Sequence, residues 1–353
     1  MTRRIAADTI NIFVIMKCFY ILQAAREKNN MSPIKQYLLK YTNCNLRVLI
    51  FVCLIIITVI GCGRSDDIGI IKPIVFSGEA HPAVSPDGNF IAYTTASEAQ
   101  IYLYEIATKE SEYLTDGGLP DWSPDGKWIA YVYNRNIYKI NVRTKEIKQL
   151  TTWGSCFFPD WSPNGRKIIF ERSTGGSDSS GFWILDIKTL EMTHLPLQNY
   201  RGGKSDWAPD ETKIVYVAPL AQSAPYSEIQ IKSLIDSDSI RLTDNNVEDD
   251  APVFSPDGSK IAYASNWNIW VMDTNGNNKT QLTFEEGPID GKKGSYTCDP
   301  AWTPDGNQIV YVRTELFEKK TEVEYISHLW IMDADGANNQ LLTGKATKTF
   351  GCK

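Results

Sequence analysis

Residues able to do chemistry are few in this chain, and their spacing argues against most reactions. The histidines are His81, His194 and His328. The cysteines are Cys18, Cys44, Cys53, Cys62, Cys156, Cys298 and Cys352, with no CxxC pair and no Cys/His spacing of the metal-binding kind. Three scattered histidines are not expected to converge on one metal ion. Asp273–Asn278 and Asp333–Asn338 look like calcium loops at first sight. They lack glycine at the sixth position and glutamate at the twelfth, so they read as hairpin turns. Gly175–Gly181 contains serines but no Gly-x-Ser-x-Gly nucleophile elbow. No catalytic, metal or cofactor residue is therefore assigned. What remains is a set of polar and aromatic residues suited to gripping something: His81, Lys204, Asp250, Asp299, Trp153, Phe158 and Tyr296.

What would position them is a repeat. Ser85-Pro86-Asp87-Gly88 recurs, with small changes, from Ser123, Ser162, Ala208, Ser255 and Thr303, at intervals of 38, 39, 46, 47 and 48 residues. Proline presets φ at the first turn position, and glycine accepts the left-handed conformation that closes a hairpin. Blade 4 breaks the rule with Glu211 at the glycine position, which predicts a strained or reshaped turn. A large apolar residue precedes most turns: Val84, Trp122, Trp161, Trp207, Phe254 and Trp302. Two β-branched or aromatic runs follow, then a Leu-Thr signature as in Leu150-Thr151 and Leu242-Thr243. Each repeat thus predicts four antiparallel strands, A to D. The fold expected is all-β, a six-bladed propeller over residues 80–344, with a tail at 345–353. The aromatics before the turns are read as packing between blades. Ile70–Phe76 reads as a further strand that could close the ring on the last blade, beside or instead of Gln340–Thr343.

Strand alternation puts the A–B and C–D turns on one face of the disc. The B–C and D–A loops fall on the other, and they carry nearly all the length variation: Glu171–Gly181, Ala218–Ser227, Thr314–Ser327, Thr152–Phe158, Asp244–Asp250 and Phe284–Cys298. Insertions gathered on one face mark a binding face. The residue before each strand-A proline should stand where the central channel opens there: His81, Leu119, Phe158, Ala251 and Asp299, with Lys204 before Ser205 in blade 4. His81, Lys204 and Asp299 would then look into one funnel. A polar mouth for a peptide or small ligand and a merely solvated rim both fit that pattern.

Residues 1–61 form a signal region. Val48–Gly61 is 14 uncharged residues behind Lys35, Lys40 and Arg47, shorter than the roughly 20 residues of a membrane-spanning helix. Met31 is a conventional start for this signal, with 1–30 excluded from the fold. Val59-Ile60-Gly61-Cys62 resembles a bacterial lipobox, which implies lipidation of Cys62 and a membrane anchor, with 62–79 as spacer and possible closing strand. Without 1–61 the chain keeps 28 basic and 40 acidic residues, a net −12. A body that acidic is not a nucleic-acid binder. A disulfide between Cys298 and Cys352 is one option in an oxidising compartment.

The repeats, with Pro-x-Trp-Ser-Pro-Asp-Gly-x-x-Ile-Ala-Tyr, Ile-x-x-Met-Asp-x-(Asp/Asn)-Gly and Gln-Leu-Thr, resemble the TolB-type β-propeller family. The resemblance implies a periplasmic, envelope-located module that binds a protein partner. About 17 residues separate Cys62 from the first blade, where the family's α/β domain would stand. Such propellers also serve peptidases, and lyase propellers have similar repeats. A carbohydrate-active or hydrolytic enzyme using the funnel, and a small-ligand sensor, therefore stand as alternatives to a lipid-anchored scaffold.

Overall fold

The computed structural model describes residues 74–343 apart from 96–98, 174–179, 196, 198–202, 220–225, 237, 290–292 and 320–322. The signal region, Cys62 and Cys352 lie outside the described residues. Every regular element among those described is a strand.

The first repeat supplies β1 (Ile74–Val84), β2 (Phe90–Thr95), β3 (Gln100–Glu105) and β4 (Glu110–Asp116). The second supplies β5 (Gly118–Trp122), β6 (Trp128–Tyr133), β7 (Asn136–Asn141) and β8 (Ile147–Gln149). The third has β9 (Cys156–Trp161), β10 (Lys167–Arg172), β11 (Gly181–Asp186) and β12 (Met192–Leu195). The fourth has β13 (Ser205–Trp207), β14 (Lys213–Pro219), β15 (Ser227–Ser233) and β16 (Ser239–Arg241). The fifth has β17 (Asp249–Phe254), β18 (Lys260–Ser265), β19 (Asn268–Asp273) and β20 (Thr280–Gln281). The last has β21 (Gly287–Ile289), β22 (Lys293–Trp302), β23 (Gln308–Glu318), β24 (Val323–Asp333) and β25 (Gln340–Leu341).

The expectation of six separate four-stranded sheets is corrected. Four stand alone, built from repeats two to five, and the remaining strands form one nine-stranded sheet. The cause is β1. Its first half pairs parallel with β24, Ile74 against Val323 through Gly78 against Ser327. Its second half pairs antiparallel with β2. At Gly78, φ is 107° and an added Cβ would lie 1.9 Å from the Ser327 carbonyl oxygen, so only glycine fits at this crossing. The closing strand therefore acts beside Gln340–Leu341, which also pairs with β24.

A second correction follows. Thr314–Ser327, expected as a loop of the binding face, is a β-hairpin extension with Glu318 opposite Val323. Leu316 and Val323 are buried there, and β1 docks on the hairpin's edge. Part of the expected Phe284–Cys298 loop is likewise a hairpin, β21 on β22.

The pre-turn aromatics do pack between repeats. Trp122 sits among Ala92 and Ile101 of the first repeat and Ile129 of its own. Trp161, Trp207 and Phe254 make the same step around the ring. The Leu-Thr signature has a polar reason. The threonine hydroxyl accepts the backbone N–H at the start of the third strand, Ile137 to Thr151 at 2.9 Å and Ile229 to Thr243 at 2.8 Å. A donor left unpaired by the short fourth strand is thereby satisfied.

In the turns, the serine hydroxyl donates to the aspartate and accepts from the backbone beyond, as in Ser85 to Asp87 at 2.6 Å and Phe90 N–H to Ser85 at 2.9 Å. The turn glycines have φ near 70°, and Glu211 keeps the same conformation at 57°. The turn is strained, not reshaped. Asn164 of the neighbouring turn donates its backbone N–H and side-chain amide to the Glu211 carboxylate, at 2.7 and 2.6 Å. A left-handed non-glycine residue costs on the order of 1 kcal/mol. Glu211→Gly should relieve that cost while losing the two bonds, leaving stability within about 1 kcal/mol of the parent. Glu211→Ala keeps the strain without the bonds and should cost about 1–2 kcal/mol. Urea denaturation of both variants measures the difference. Equal losses would rule this account out.

Candidate functional site

The first strands of the repeats enclose a cavity of about 340 Å³. The turn prolines Pro163, Pro209 and Pro256 border it, as do His81, Phe158 and Lys204.

One backbone device recurs around this cavity. His81, Leu119, Phe158, Ala251 and Asp299 have φ of 52°, 57°, 48°, 49° and 50°. At each of them the pairing with the second strand slips, for instance between Ala80 and Ala83 and between Cys298 and Ala301. These are β-bulges, and a bulge re-aims the side chain it carries. The positions are those expected from the residue before each proline. Left-handed strain repeated at one structural position is typical of working surfaces.

His81 and Asp299, on the first and last repeats, meet at 3.0 Å between Nδ1 and a carboxylate oxygen. Burial works to raise the Asp299 carboxyl, but the charge and hydrogen bond of His81, with the charge of Lys204, hold it well below the usual carboxylate range. Phe158 stands edge-on to the His81 ring, with centroids 6.3 Å apart. Asp250 is exposed and accepts the Ala251 N–H at 2.7 Å. Asp299 and Lys204 both bear electrostatically on Asp250.

Asp121, Asp160 and Asp206 were not singled out from the sequence, yet all three line the cavity. Each follows the strand-A proline or Ser205 and precedes a buried tryptophan. Strand alternation alone turns it to the channel, and that signal was available. Each carboxylate accepts a backbone N–H from the next repeat: Trp161 to Asp121 at 2.7 Å, Trp207 to Asp160 at 3.1 Å and Phe254 to Asp206 at 2.6 Å. Burial pushes Asp121 and Asp206 up to about 7, against the pull of those N–H donors and of Lys204. Burial, reinforced by repulsion from Asp206 and Asp121, raises Asp160 well above the usual range. Lys204 is the one lysine or arginine among the cavity-lining residues.

The other candidates lie elsewhere. Trp153 is 43% exposed and packs edge-on against Trp183, with the Arg172 guanidinium 4.7 Å from its ring centre. Tyr296 packs on Trp267 at 5.8 Å. Neither borders the cavity. The histidines are separate too: His194 stacks on Trp183, and His328 contacts Glu79 at 3.1 Å. Asp249, within the Asp244–Asp250 loop expected on the binding face, is fully buried at the start of β17. Cys298 has no disulfide partner among the described residues, Cys352 lying outside them, and burial pushes its thiol up.

This arrangement can bind and orient. It offers one cation, a histidine–aspartate pair and an aromatic edge at one mouth, with three carboxylates beyond. A family profile described as the TolB beta propeller domain matches residues 72–219 and 156–348. The Tol-Pal system protein TolB of Francisella tularensis subsp. holarctica (strain OSU18) is 30% identical over 219 residues, 57% of this chain and 49% of its own length. The chain spans about half the length of the curated relatives it matches. Among solved structures, the putative TolB from Agrobacterium tumefaciens is similar with a TM-score of 0.55 at 19% identity, over 69% of this chain and 88% of that one. TolB from Acinetobacter baumannii is similar with a TM-score of 0.54 at 20% identity, over 74% of this chain and 62% of that one. At such identities these two structures speak for the fold alone.

Proposed function

Since the chain belongs to the TolB β-propeller family, we propose that it is a non-catalytic protein-binding module of the bacterial cell envelope. In this reading the leader exports it, Cys62 anchors it to the membrane, and its six repeats act as six blades, the fused sheet counting as two. The partner docks at the channel mouth through His81, Phe158, Lys204, Asp250 and Asp299. One observation carries the reading: strained bulges recur at one position in five repeats, three of them (His81, Leu119 and Phe158) line one cavity with Lys204, and His81 pairs there with Asp299. Backbone strain of that kind, on the order of 1–2 kcal/mol per residue, is retained where a surface is used. A Tol-Pal system protein among the relatives supports an envelope partner.

The test begins with a photocrosslinker at position 119, on the mouth, in envelope preparations. The captured partner is then purified and its affinity measured directly. Lys204→Glu and Asp299→Asn should each weaken binding at least tenfold, about 1.4 kcal/mol. Trp153→Ala, away from the cavity, should leave it unchanged. Full affinity in both mouth variants would sink the assignment.

A further inference from the structure

Several junctions between neighbouring repeats are built on one plan. The residue before the third strand's first large apolar residue meets the Leu-Thr threonine, together with the residue three places before the next strand-A proline. Between the second and third repeats these are Asn136, Thr151 and Cys156, with the Thr151 hydroxyl 3.3 Å from the Asn136 side-chain oxygen Oδ1 and 3.6 Å from the Cys156 sulfur. Between the fifth and last they are Asn268, Thr283 and Thr297, with the two hydroxyls 2.7 Å apart. Where the last repeat meets the first they include His328 and Glu79, which contact at 3.1 Å and can carry opposite charges.

The junction between the fourth and fifth repeats breaks the pattern. There the plan places Glu228, Thr243 and Asp249, two carboxylates and no cation of their own. Glu228 is 1% exposed and Asp249 0%. Asn245 ties them together, its backbone N–H donating to Glu228 Oε1 at 3.1 Å and its side-chain amide to Asp249 Oδ2 at 3.0 Å. The other two oxygens, Glu228 Oε2 and Asp249 Oδ1, are buried with no hydrogen-bond partner. The Thr243 hydroxyl stands beside both carboxyls and the Ser265 hydroxyl beside Asp249, yet neither reaches the two orphaned oxygens in hydrogen-bond geometry. In the equivalent place Asn268 donates its amide to the carbonyls of Asn266 and Glu285, and Glu228 has no such proton. Burial pushes both carboxyls up, and each is reached by one more charge, Asp244 at Glu228 and Lys279 at Asp249.

We propose that this junction binds one divalent cation, bridged by Glu228 Oε2 and Asp249 Oδ1. The cation takes the place that the His328 ring holds against Glu79. Two unpaired carboxylate oxygens sealed from water are costly alone and are the hard ligands calcium prefers. No third His, Cys, Asp or Glu joins them among the described residues. The remaining ligands are neutral oxygens, for which the Thr243 and Ser265 hydroxyls are at hand. The ion would pin β17 to β15, and with it Asp250 at the channel mouth.

Thermal melts of the purified full chain test this, with chelator and then with calcium or magnesium chloride. At a hundred times its dissociation constant a bound ion should raise Tm by roughly 5 °C. Glu228→Gln supplies the missing amide donor. It should lose the calcium shift and melt higher than the parent in chelator. Asp160→Asn, altered in the channel instead, should keep the shift. The proposal is overturned if neither metal shifts the parent, if Glu228→Gln retains the shift, or if lowering the pH alone restores the parent in chelator and calcium adds nothing, which would mean a shared proton.

Discussion

Trp207→Ala should destabilise the protein by about 3–5 kcal/mol, the largest effect of any substitution considered. Trp207 is 6% exposed and packs on Ile169 and Phe182 of the third repeat as well as Ile214 and Tyr216 of its own. Its loss opens a cavity across a seam, not inside one sheet. Its backbone N–H donates to the Asp160 carboxylate and its indole N–H to the Asp160 carbonyl, at 3.1 and 3.3 Å. Trp161 is equally buried, but its indole nitrogen has no partner. Phenylalanine therefore separates the two sites. Trp207→Phe should lose about 1 kcal/mol beyond its volume change, and Trp161→Phe should not. Chemical denaturation of the three variants decides it, and equal losses for both phenylalanine variants would remove the polar part of the explanation.

Asp160→Asn should raise stability clearly at pH 8 and have almost no effect near pH 4. Asp160 lies between Asp121 and Asp206, and the three share one lysine. The folded-state values, about 7 for Asp121 and Asp206, lie above the ordinary 3.8. The folded protein therefore holds more protons in that window, and stability falls as pH rises from about 4 through 7. Asparagine can still accept the Trp207 N–H, so the substitution removes charge and keeps geometry. Melts of parent and variant across pH 4–8 measure the effect. A gain independent of pH would point to packing instead. Asp299 works in the opposite sense. Its carboxyl is depressed, so its contribution is present above the ordinary carboxylate range and is lost on strong acidification.

Much of this was legible beforehand because repeats average out local ambiguity. One Ser-Pro-Asp-Gly would mark one turn, but six at blade-sized intervals mark a ring. The strand-A prolines marked the residues expected at the channel opening, and the structure adds that these residues form left-handed bulges. The Phe284–Cys298 and Thr314–Ser327 excursions were misread as binding loops. Length and polarity do not distinguish a free loop from a hairpin, whether it pairs locally, as β21 on β22, or is held by a strand from the other end of the chain, as β24 is by β1. The channel aspartates were overlooked because an Asp beside a Pro and a Trp is unremarkable until three such strands face one another.

From its residues alone this chain specified an all-β repeat fold, the turn positions and the inter-repeat tryptophans. All of these depend on interactions within a few residues or on a period. Tertiary structure alone decided how β1 joins two repeats into nine strands. It also decided that Asp121, Asp160 and Asp206 share one field, and that Glu228 and Asp249 each keep one buried oxygen without a hydrogen bond. Those depend on distance and dielectric between segments far apart in sequence, which no local pattern encodes.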